Sequence, residues 1–465
     1  MTPQPSRSAD QPAPSRGEPR ELTLAVGAPA HGGHCVARPV DDPGGRVIFV
    51  RHALPGETVR ARLTEMTSRT WRADAVEILQ ASPDRVESVW PEAGPAGVGG
   101  GELAHVALDA QRTWKRWVLA DCLRRIGGQE VADAVAALPE ASAAAAVPIE
   151  PMPTDAAAQA SNSARRRALA GTATRTRVSL TVGEDGRPGM HAFRSGTVLP
   201  LRRLPLAVEA ITEIGLLERS RWRAHYRPGM RIEAIAPSGG EPVVLLDERL
   251  LTAQARSTGR RRVREVVDAS ALGLGELTYS VHAEGFWQVH VDAPRVLVER
   301  VVRGALGADL DGAAGSRVLE LYSGAGLFTL PLAALVGSGG EVVSLEGNEQ
   351  AVRDARRTLH AQPSARLASG RVSARSVREL AGSLTGGRPD VVVLDPPRQG
   401  AGREVIEAVG ALGAERIVLV ACDPAALARD LETLLRSGYA LGSMSALDMF
   451  PHTHHFETIA VLERS

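Results

Sequence analysis

A cysteine at the junction of a predicted strand and a predicted helix is the residue in this sequence best placed for covalent chemistry. Cys422 follows the apolar run Arg416–Ala421 and precedes the helical pattern Ala425–Leu435, with Asp423 and Pro424 suited to the helix cap and first turn. A helix N-terminus favours negative charge, so we expect a lowered thiol pKa and a thiolate nucleophile. A lone intracellular cysteine can also be a small buried hydrophobe, and that alternative is open at this point.

A glycine-rich turn and an acid on consecutive predicted strands indicate a nucleoside cofactor. Gly324 and Gly326 follow the run Val318–Leu321 and let the backbone turn tightly and approach a ligand. Glu346, 20 residues beyond Gly326, ends the next strand, where a carboxylate can accept both hydroxyls of a ribose. A dinucleotide site requires a small residue where Thr329 stands, so S-adenosylmethionine fits better than NAD. Glu346 could also be a solvated strand-end acid.

Asp395 begins an Asp-Pro-Pro-Arg motif 27 residues before the cysteine, directly after the apolar run Val391–Leu394. The prolines restrict the chain, so Asp395 should be fixed toward the cofactor crevice. Amino-group methyltransferases use a related motif, which leaves the acceptor atom open, but an amine already has its own nucleophile and gains nothing from Cys422. Methylation of pyrimidine C5 is different, because that carbon becomes nucleophilic only after a group adds to C6.

Methylation at C5 also requires a base that removes the C5 proton, and Glu457 just before the last predicted strand is the candidate. His452, His454 and His455 lie nearby, but no other clustered ligands accompany them, so we predict no metal site. The three cysteines of the chain are far apart and support neither a disulfide framework nor a zinc site.

Composition indicates a soluble globular protein of roughly three domains, because the chain has 465 residues, 44% of them hydrophobic and 23% charged. No apolar run is long enough for a membrane helix, so we expect a cytoplasmic protein without membrane contact. Net charge is zero, so no global field attracts nucleic acid. There are two local basic clusters, which could be solvated faces or could grip a polynucleotide backbone: Arg165–Arg167 with Arg175 and Arg177, and Arg260–Arg262 with Arg264.

The elements that must position these residues fall into four segments. We predict a disordered tail at 1–20, an oligonucleotide-binding-type barrel at 21–82, an α+β middle domain at 90–280 and a Rossmann-like doubly wound domain at 281–465. Within the middle domain we expect a helix near Thr113–Ile126, a second near Leu206–Arg219, and an Ala-rich, partly ordered surface insertion at Val131–Ala170. The fold class is therefore α/β, preceded by a β-barrel.

Motif by motif, the chain resembles the RNA 5-methyluridine methyltransferase family, the bacterial uracil-C5 enzymes of rRNA and tRNA, over nearly its whole length. Residues 21–78 resemble a TRAM domain, including Gly32-Gly33-His34 and Gly56-Glu57. The resemblance implies a catalytic nucleophile and base and a set of cofactor-binding residues: Cys422 and Glu457 for catalysis; Gln288, Tyr322, Gly324, Gly326, Glu346 and Asp395 for S-adenosylmethionine.

The sequence departs from that family at two places. Many relatives carry four cysteines for an iron–sulfur cluster, and here the corresponding stretch has Trp90-Pro91 and Val98–Gly101, so we expect no cluster. His105 and Gln111, which follow, fit the family pattern without providing ligands. Leu327 stands where some members have Asn, so one cofactor hydrogen bond is not expected.

The resemblance implies that the Cys422 thiolate attacks C6 of a flipped-out uridine and that Glu457 removes the C5 proton after methyl transfer. We expect the substrate to be 23S rRNA rather than tRNA uridine 54, because the barrel resembles that of the rRNA enzymes, and we expect a monomer. Two other functions are a non-catalytic RNA-binding protein with a vestigial site and an amino-group methyltransferase. The second leaves Cys422 and Glu457 unexplained.

Overall fold

The computed structural model describes residues 20–141, 146–310 and 312–465. The disordered tail predicted for 1–20 lies outside these residues apart from Arg20. Contacts divide the described chain into two compact units, one formed by residues 20–28 and 34–82 and the other by residues 29–33 and everything from Pro83 onward.

The first unit is a closed five-stranded barrel. Leu24, Val26 and Val59 alternate with exposed residues along their strands and point into its core, because neighbouring side chains of a strand face opposite sides. Pairing of the first strand with the fourth closes the barrel in the order β1-β2-β3-β5-β4, which confirms the predicted barrel. The strands are β1 (Glu21–Ala30), β2 (His34–Pro39), β3 (Ile48–Arg51), β4 (Thr58–Met66) and β5 (Trp71–Gln80).

The segment after the barrel joins the core of the C-terminal sheet through residues 131–136 and 146–152, so the surface insertion expected at Val131–Ala170 is wrong for these residues, whereas residues 162–169 are exposed. Val131 and Val135 are buried on one helical face, and Ile149 pairs in parallel with Ala446 of the last sheet. An Ala-rich stretch looks low in complexity, but alanine is the best helix former and packs closely. The elements are α1 (Leu108–Arg125), α2 (Gly128–Ala136), β6 (Ile149–Pro151), α3 (Pro153–Gln159) and α4 (Ala164–Ala168).

A six-stranded sheet with the order β12-β11-β10-β7-β8-β9 follows. The helix expected over Leu206–Arg219 is reduced to a single turn, because Gly215 adopts a φ of +73° and ends the helical path. The elements are β7 (Arg177–Val182), β8 (Pro188–His191), β9 (Val198–Pro200), α5 (Glu209–Thr212), α6 (Ser220–Arg223), β10 (Arg231–Ile235), β11 (Val243–Leu246) and β12 (Arg249–Thr252).

The remaining chain forms a hairpin and an eight-stranded sheet with helices. The hairpin consists of β13 (Arg262–Asp268) and β14 (Glu276–His282). The elements after it are α7 (Ala293–Leu306), β15 (Arg317–Leu321), α8 (Thr329–Val336), β16 (Glu341–Glu346), α9 (Glu349–Thr358), β17 (Ala365–Ser369), α10 (Ala374–Gly382), β18 (Val391–Leu394), α11 (Arg403–Ala411), β19 (Arg416–Ala421), α12 (Pro424–Arg436), β20 (Tyr439–Asp448) and β21 (Glu457–Arg464).

The eight-stranded sheet has the order β17-β16-β15-β18-β19-β21-β20-β6. Strands β17 to β19 in that order are parallel, whereas β21 is antiparallel to both of its neighbours. In such a sheet ligands bind at the carboxyl ends of the parallel strands, where the strand order reverses. The predicted Rossmann-like fold class is confirmed, and the glycine turn, Glu346, Asp395 and Cys422 all follow or end strands at this edge.

Candidate active site

A cavity of about 1540 Å³ opens at this edge of the sheet. Seven of the eight predicted site residues line it: Gln288, Tyr322, Gly324, Glu346, Asp395, Cys422 and Glu457. Residues that the sequence predicted for one site, although they are far apart along the chain, therefore line the same cavity.

The glycine turn is shaped by two residues with left-handed backbone. Tyr322 has a φ of +65° and Gly324 a φ of +55°, and a Cβ added at Gly324 would meet no atom within 4 Å, so this glycine leaves open space toward the cavity. The Gly324 amide donates to Glu346 Oε2 at 2.9 Å, and the Asn348 amide donates to Oε1 at 2.7 Å. These two bonds hold the Glu346 carboxylate at the cavity wall.

Gly326 is the predicted site residue that the structure does not place on the cavity. It is buried, and a Cβ there would meet Ala355 Cβ at 3.4 Å and Leu359 Cδ1 at 3.6 Å, both on or just after α9. These are ordinary contact distances, so it is the φ of +87° that favours glycine here, for the turn and not for a ligand. Leu327, the next residue, accepts a hydrogen bond from the buried Tyr279 hydroxyl at 2.9 Å through its carbonyl.

The structure confirms the strand, cap and helix around Cys422 and corrects its expected pKa. Asp423 accepts hydrogen bonds from the amides of Ala425 and Ala426, at 3.0 and 2.9 Å, and so caps α12. Burial, together with Glu457 and Asp395, raises the pKa of the Cys422 thiol to about 12, although Arg398 opposes the shift. Desolvation and carboxylates outweigh the helix N-terminus, so the expectation of a lowered thiol pKa is wrong for the free protein.

Strand pairing brings Glu457 beside the cysteine. Ala421 pairs with Thr458 in the antiparallel β19–β21 ladder, and the Thr458 hydroxyl donates to the Ala421 carbonyl at 2.8 Å. Cys422 and Glu457 therefore leave adjacent strand ends on the same side. The strand pairing behind this neighbourhood is not local, because the 34 residues between Cys422 and Glu457 contain β20, which pairs with β21 on its other side.

Burial and neighbouring charges raise the pKa of two carboxyl groups at the site, those of Asp395 and Glu457. Burial and the nearby Glu346 raise the pKa of Asp395 to about 7. Burial and Asp395 raise the pKa of Glu457 well above its ordinary value, whereas Arg398 lowers it. Glu457 Oε1 is buried without a hydrogen-bond partner among the described residues. This oxygen is therefore available to form a hydrogen bond with a bound substrate.

Five further residues line the cavity that the sequence did not predict as site residues: Glu102, Arg175, Arg261, Phe450 and His455. Arg175 and Arg261 were predicted only as members of the basic clusters, and His455 was considered only as a metal ligand. Burial, His454 and Arg398 lower the pKa of His455 to about 3, so this ring is neutral at physiological pH. Phe450 and His455 lay within a segment already considered for metal binding and could have been noticed. Glu102 carries no local signal, because long-range folding brings it to the site.

Within the described ranges, no cluster of three or more His, Cys, Asp or Glu side chains is arranged to hold a metal ion. The same residues contain no helix with the length and apolarity needed to cross a membrane.

The closed barrel, the doubly wound sheet and the cavity at its carboxyl edge define a Rossmann-type methyltransferase with an appended barrel. Comparison with known proteins gives the family. Residues 275–465 match the model of the tRNA (uracil-5-)-methyltransferase family, and residues 18–76 match the TRAM domain.

Two relatives and one solved structure extend the similarity to nearly the whole chain. An RNA methyltransferase of Streptomyces avermitilis is 38% identical over 95% of this chain and 98% of its own. The 23S rRNA (uracil(1939)-C(5))-methyltransferase RlmD of Acinetobacter baumannii is 30% identical over 94% of this chain and 92% of its own. The chain belongs to the RNA (uracil-5-)-methyltransferase family, as the sequence motifs indicated.

The solved structure is that of the Pyrococcus abyssi tRNA (uracil-54, C5)-methyltransferase in complex with S-adenosyl-L-homocysteine. It superposes with a TM-score of 0.61 at 20% identity, covering 94% of this chain and 99% of that one. At this identity the likeness shows a shared fold.

Proposed function

We propose that this protein methylates C5 of a uridine in 23S rRNA, with S-adenosylmethionine as the methyl donor. The observation that carries the proposal is one cavity lined by a thiol, two carboxyl groups and a glycine turn backed by an acid: Cys422, Asp395, Glu457, Gly324 and Glu346. Family membership supports the reaction class.

The residues on the cofactor side fit S-adenosylmethionine. Gly324 leaves space where a side chain would project into the cavity, and Glu346 presents a carboxylate held by two backbone amides. We propose that Glu346 accepts the ribose hydroxyls, that Tyr322 and the Gly324 turn contact the nucleoside, and that Gln288 and Asp395 lie between cofactor and base. The bound cofactor supplies an electrophilic methyl group.

The catalytic residues then have complementary tasks. The Cys422 thiol gives its proton to water in the open cavity and adds to C6 of the uracil as the thiolate, and the electrons of the C5–C6 double bond then make C5 nucleophilic enough to take the methyl group. Glu457 removes the proton from C5, and the electrons of that C–H bond form the C5–C6 double bond as the Cys422 sulfur leaves C6. Because a base must leave its stack to reach such a cavity, the target uridine is expected in a loop or extruded from a helix.

The rRNA substrate is preferred over tRNA because the RlmD relative is 30% identical over 94% of the chain. Uridine 54 of tRNA is the second candidate, favoured by the shared fold of the Pyrococcus abyssi enzyme. We further propose that the protein acts as a cytoplasmic monomer on RNA without a membrane partner.

Purified protein should be incubated with S-adenosylmethionine and unmodified transcripts of 23S rRNA or tRNA, and 5-methyluridine measured by mass spectrometry. Cys422→Ala should abolish methylation and leave S-adenosylhomocysteine affinity unchanged, because the thiol attacks the base and not the cofactor. Glu457→Gln should form a covalent RNA adduct that survives a denaturing gel, since the adduct cannot lose its C5 proton.

Cys122→Ala is the matched control, because Cys122 is a buried cysteine outside the cavity and should keep full activity. Methylation by Cys422→Ala would exclude the thiol mechanism. If 5-methyluridine formed only in tRNA, the 23S rRNA substrate would be excluded and tRNA uridine 54 favoured.

A further inference from the structure

The segment 448–457, from the end of β20 to the first residue of β21, forms one wall of the candidate active site and includes the proposed base Glu457. Phe450, Thr453, His455 and Glu457 of this segment line the cavity. His452 within it has a φ of +65°, a conformation that a residue with a side chain keeps only when its surroundings impose it. Something outside the segment must therefore hold its backbone.

Two side chains of α1, Gln111 and Lys115, hold the backbone of this segment through hydrogen bonds. Gln111 is fully buried, and its Oε1 accepts a hydrogen bond from the His452 amide at 2.7 Å while its Nε2 donates to Val106 O at 2.8 Å. The His452 carbonyl accepts from the Leu103 amide at 2.9 Å, so the strained residue is fixed on both sides of its backbone.

Lys115 lies one helical turn further along the same face and is the single lysine of the chain. It is fully buried, its ammonium pairs with the Asp448 carboxylate at the end of β20, and it donates to the Phe450 carbonyl at 3.1 Å. Asp448 is 2% exposed. The cation thus holds the end of β20 and the backbone two residues beyond it, where the chain enters the wall of the cavity.

Stability alone is a poor reason for such a pair. Burial lowers the pKa of Lys115, which records the cost of desolvating the ammonium, and Asp448 only offsets it. Replacing a buried ion pair with apolar side chains of similar volume is often neutral or stabilising. The ion pair fixes the positions of Asp448 and the Phe450 carbonyl through directional bonds, which an apolar pair cannot do.

We infer that Lys115 and Gln111 are positioning residues that set Glu457 and His455 against the reacting base. This inference rests on the proposed function. Neither residue lines the cavity, so both act through the segment 448–457. Their loss should slow proton removal from C5 and leave cofactor affinity unchanged.

The decisive variant is the double substitution Lys115→Met with Asp448→Leu, compared with Lys115→Met alone. The single variant leaves an unpaired buried carboxylate and should lower the thermal midpoint, whereas the double variant should recover it. We expect the double variant to release methylated RNA about tenfold to a hundredfold more slowly than wild type, with a persistent covalent adduct. S-adenosylhomocysteine affinity should stay within about twofold of wild type.

Gln111→Met removes the other anchor without leaving a buried charge and should show the same slow release. Arg124→Ala is the control, because Arg124 lies on the exposed side of α1, and it should behave as wild type. Release at the wild-type rate by either the double variant or Gln111→Met overturns the inference. If wild type forms no 5-methyluridine, the proposed function fails first and takes this inference with it.

Discussion

Cys422 combines a position suited to a nucleophile with a thiol that stays protonated. Its pKa is raised to about 12 by burial and by Glu457 and Asp395, so the thiolate fraction is very small throughout the physiological range. The proposed mechanism therefore requires the site to lower this pKa, or to accept the proton, when its ligands enter. A protonated thiol resists oxidation and alkylation, because reactivity follows the thiolate.

Alkylation of Cys422 by iodoacetamide tests this property. With a raised pKa the thiol is neutral below about 12, so the rate should increase by about tenfold per pH unit between pH 7 and 10 without a plateau. Mass spectrometry of the peptide containing Cys422 measures the rate, and the buried Cys35 and Cys122 provide internal references.

Arg398→Met should slow the reaction at every pH in this range, because Arg398 is the charge that lowers the thiol pKa. Arg403→Met, which removes an exposed arginine, should not. A plateau between pH 7 and 8 would mean that the helix N-terminus dominates after all.

At the scale of elements, the sequence predicts what is local and misses what depends on pairing. The runs before Gly324, Asp395 and Cys422 are short and apolar, and each forms a strand, since such runs bounded by turn residues have few other stable uses. The Asp423 cap was predictable because its bonds reach only two and three residues along the chain.

The missed elements have non-local causes. Strand β6 has three residues and exists because β20 offers it an edge, which no pattern within Ile149–Pro151 can reveal. The helix expected over Leu206–Arg219 has suitable apolar spacing, but the turn at Gly215 decides otherwise. The raised pKa of Cys422 likewise depends on Glu457, which arrives through the β19–β21 register.

The hairpin β13–β14 supports the glycine turn through one hydrogen bond, and its removal is a test at this scale. The Tyr279 hydroxyl donates to the Leu327 carbonyl at 2.9 Å and is fully buried. Tyr279→Phe should cost about 1 kcal/mol of unfolding free energy. It should also weaken S-adenosylhomocysteine binding by roughly two- to tenfold, because the turn loses its fixed position.

Tyr439→Phe is a matched control, since the Tyr439 hydroxyl makes an equivalent buried bond to Ala414 at 2.9 Å away from the cavity. It should give a similar loss of stability, measured by denaturant unfolding, and no change in calorimetric affinity. Equal effects of both variants on affinity would exclude a specific role for Tyr279.

Across the whole molecule, a net charge of zero conceals a strong separation of charge. Residues 161–264 contain 20 arginines and nine acidic residues, a formal charge of +11, so the rest of the chain carries −11. Such a distribution attracts a polyanion locally while the whole protein stays neutral. Helix α4 is one exposed part of this region, with Arg165, Arg166 and Arg167 all on the surface.

Arg165→Ala combined with Arg166→Ala should weaken RNA binding and reduce the dependence of log affinity on log salt by roughly 1 to 2, because each phosphate contact releases counterions. Filter binding at several salt concentrations measures both quantities. Arg124→Ala combined with Arg125→Ala removes two exposed arginines outside the basic region and should leave the slope unchanged. Equal slopes for both double variants would count against α4 as an RNA contact.

Strand β6 also determines where recombination could divide this protein without disrupting a hydrophobic core. The family match begins at residue 275, yet the sheet it describes is completed by β6, and its core is shared with α1 and α2. A recombination event at that boundary would divide one hydrophobic core between two parents. The elements α1, α2 and β6 and the C-terminal sheet are therefore expected to evolve as a single unit.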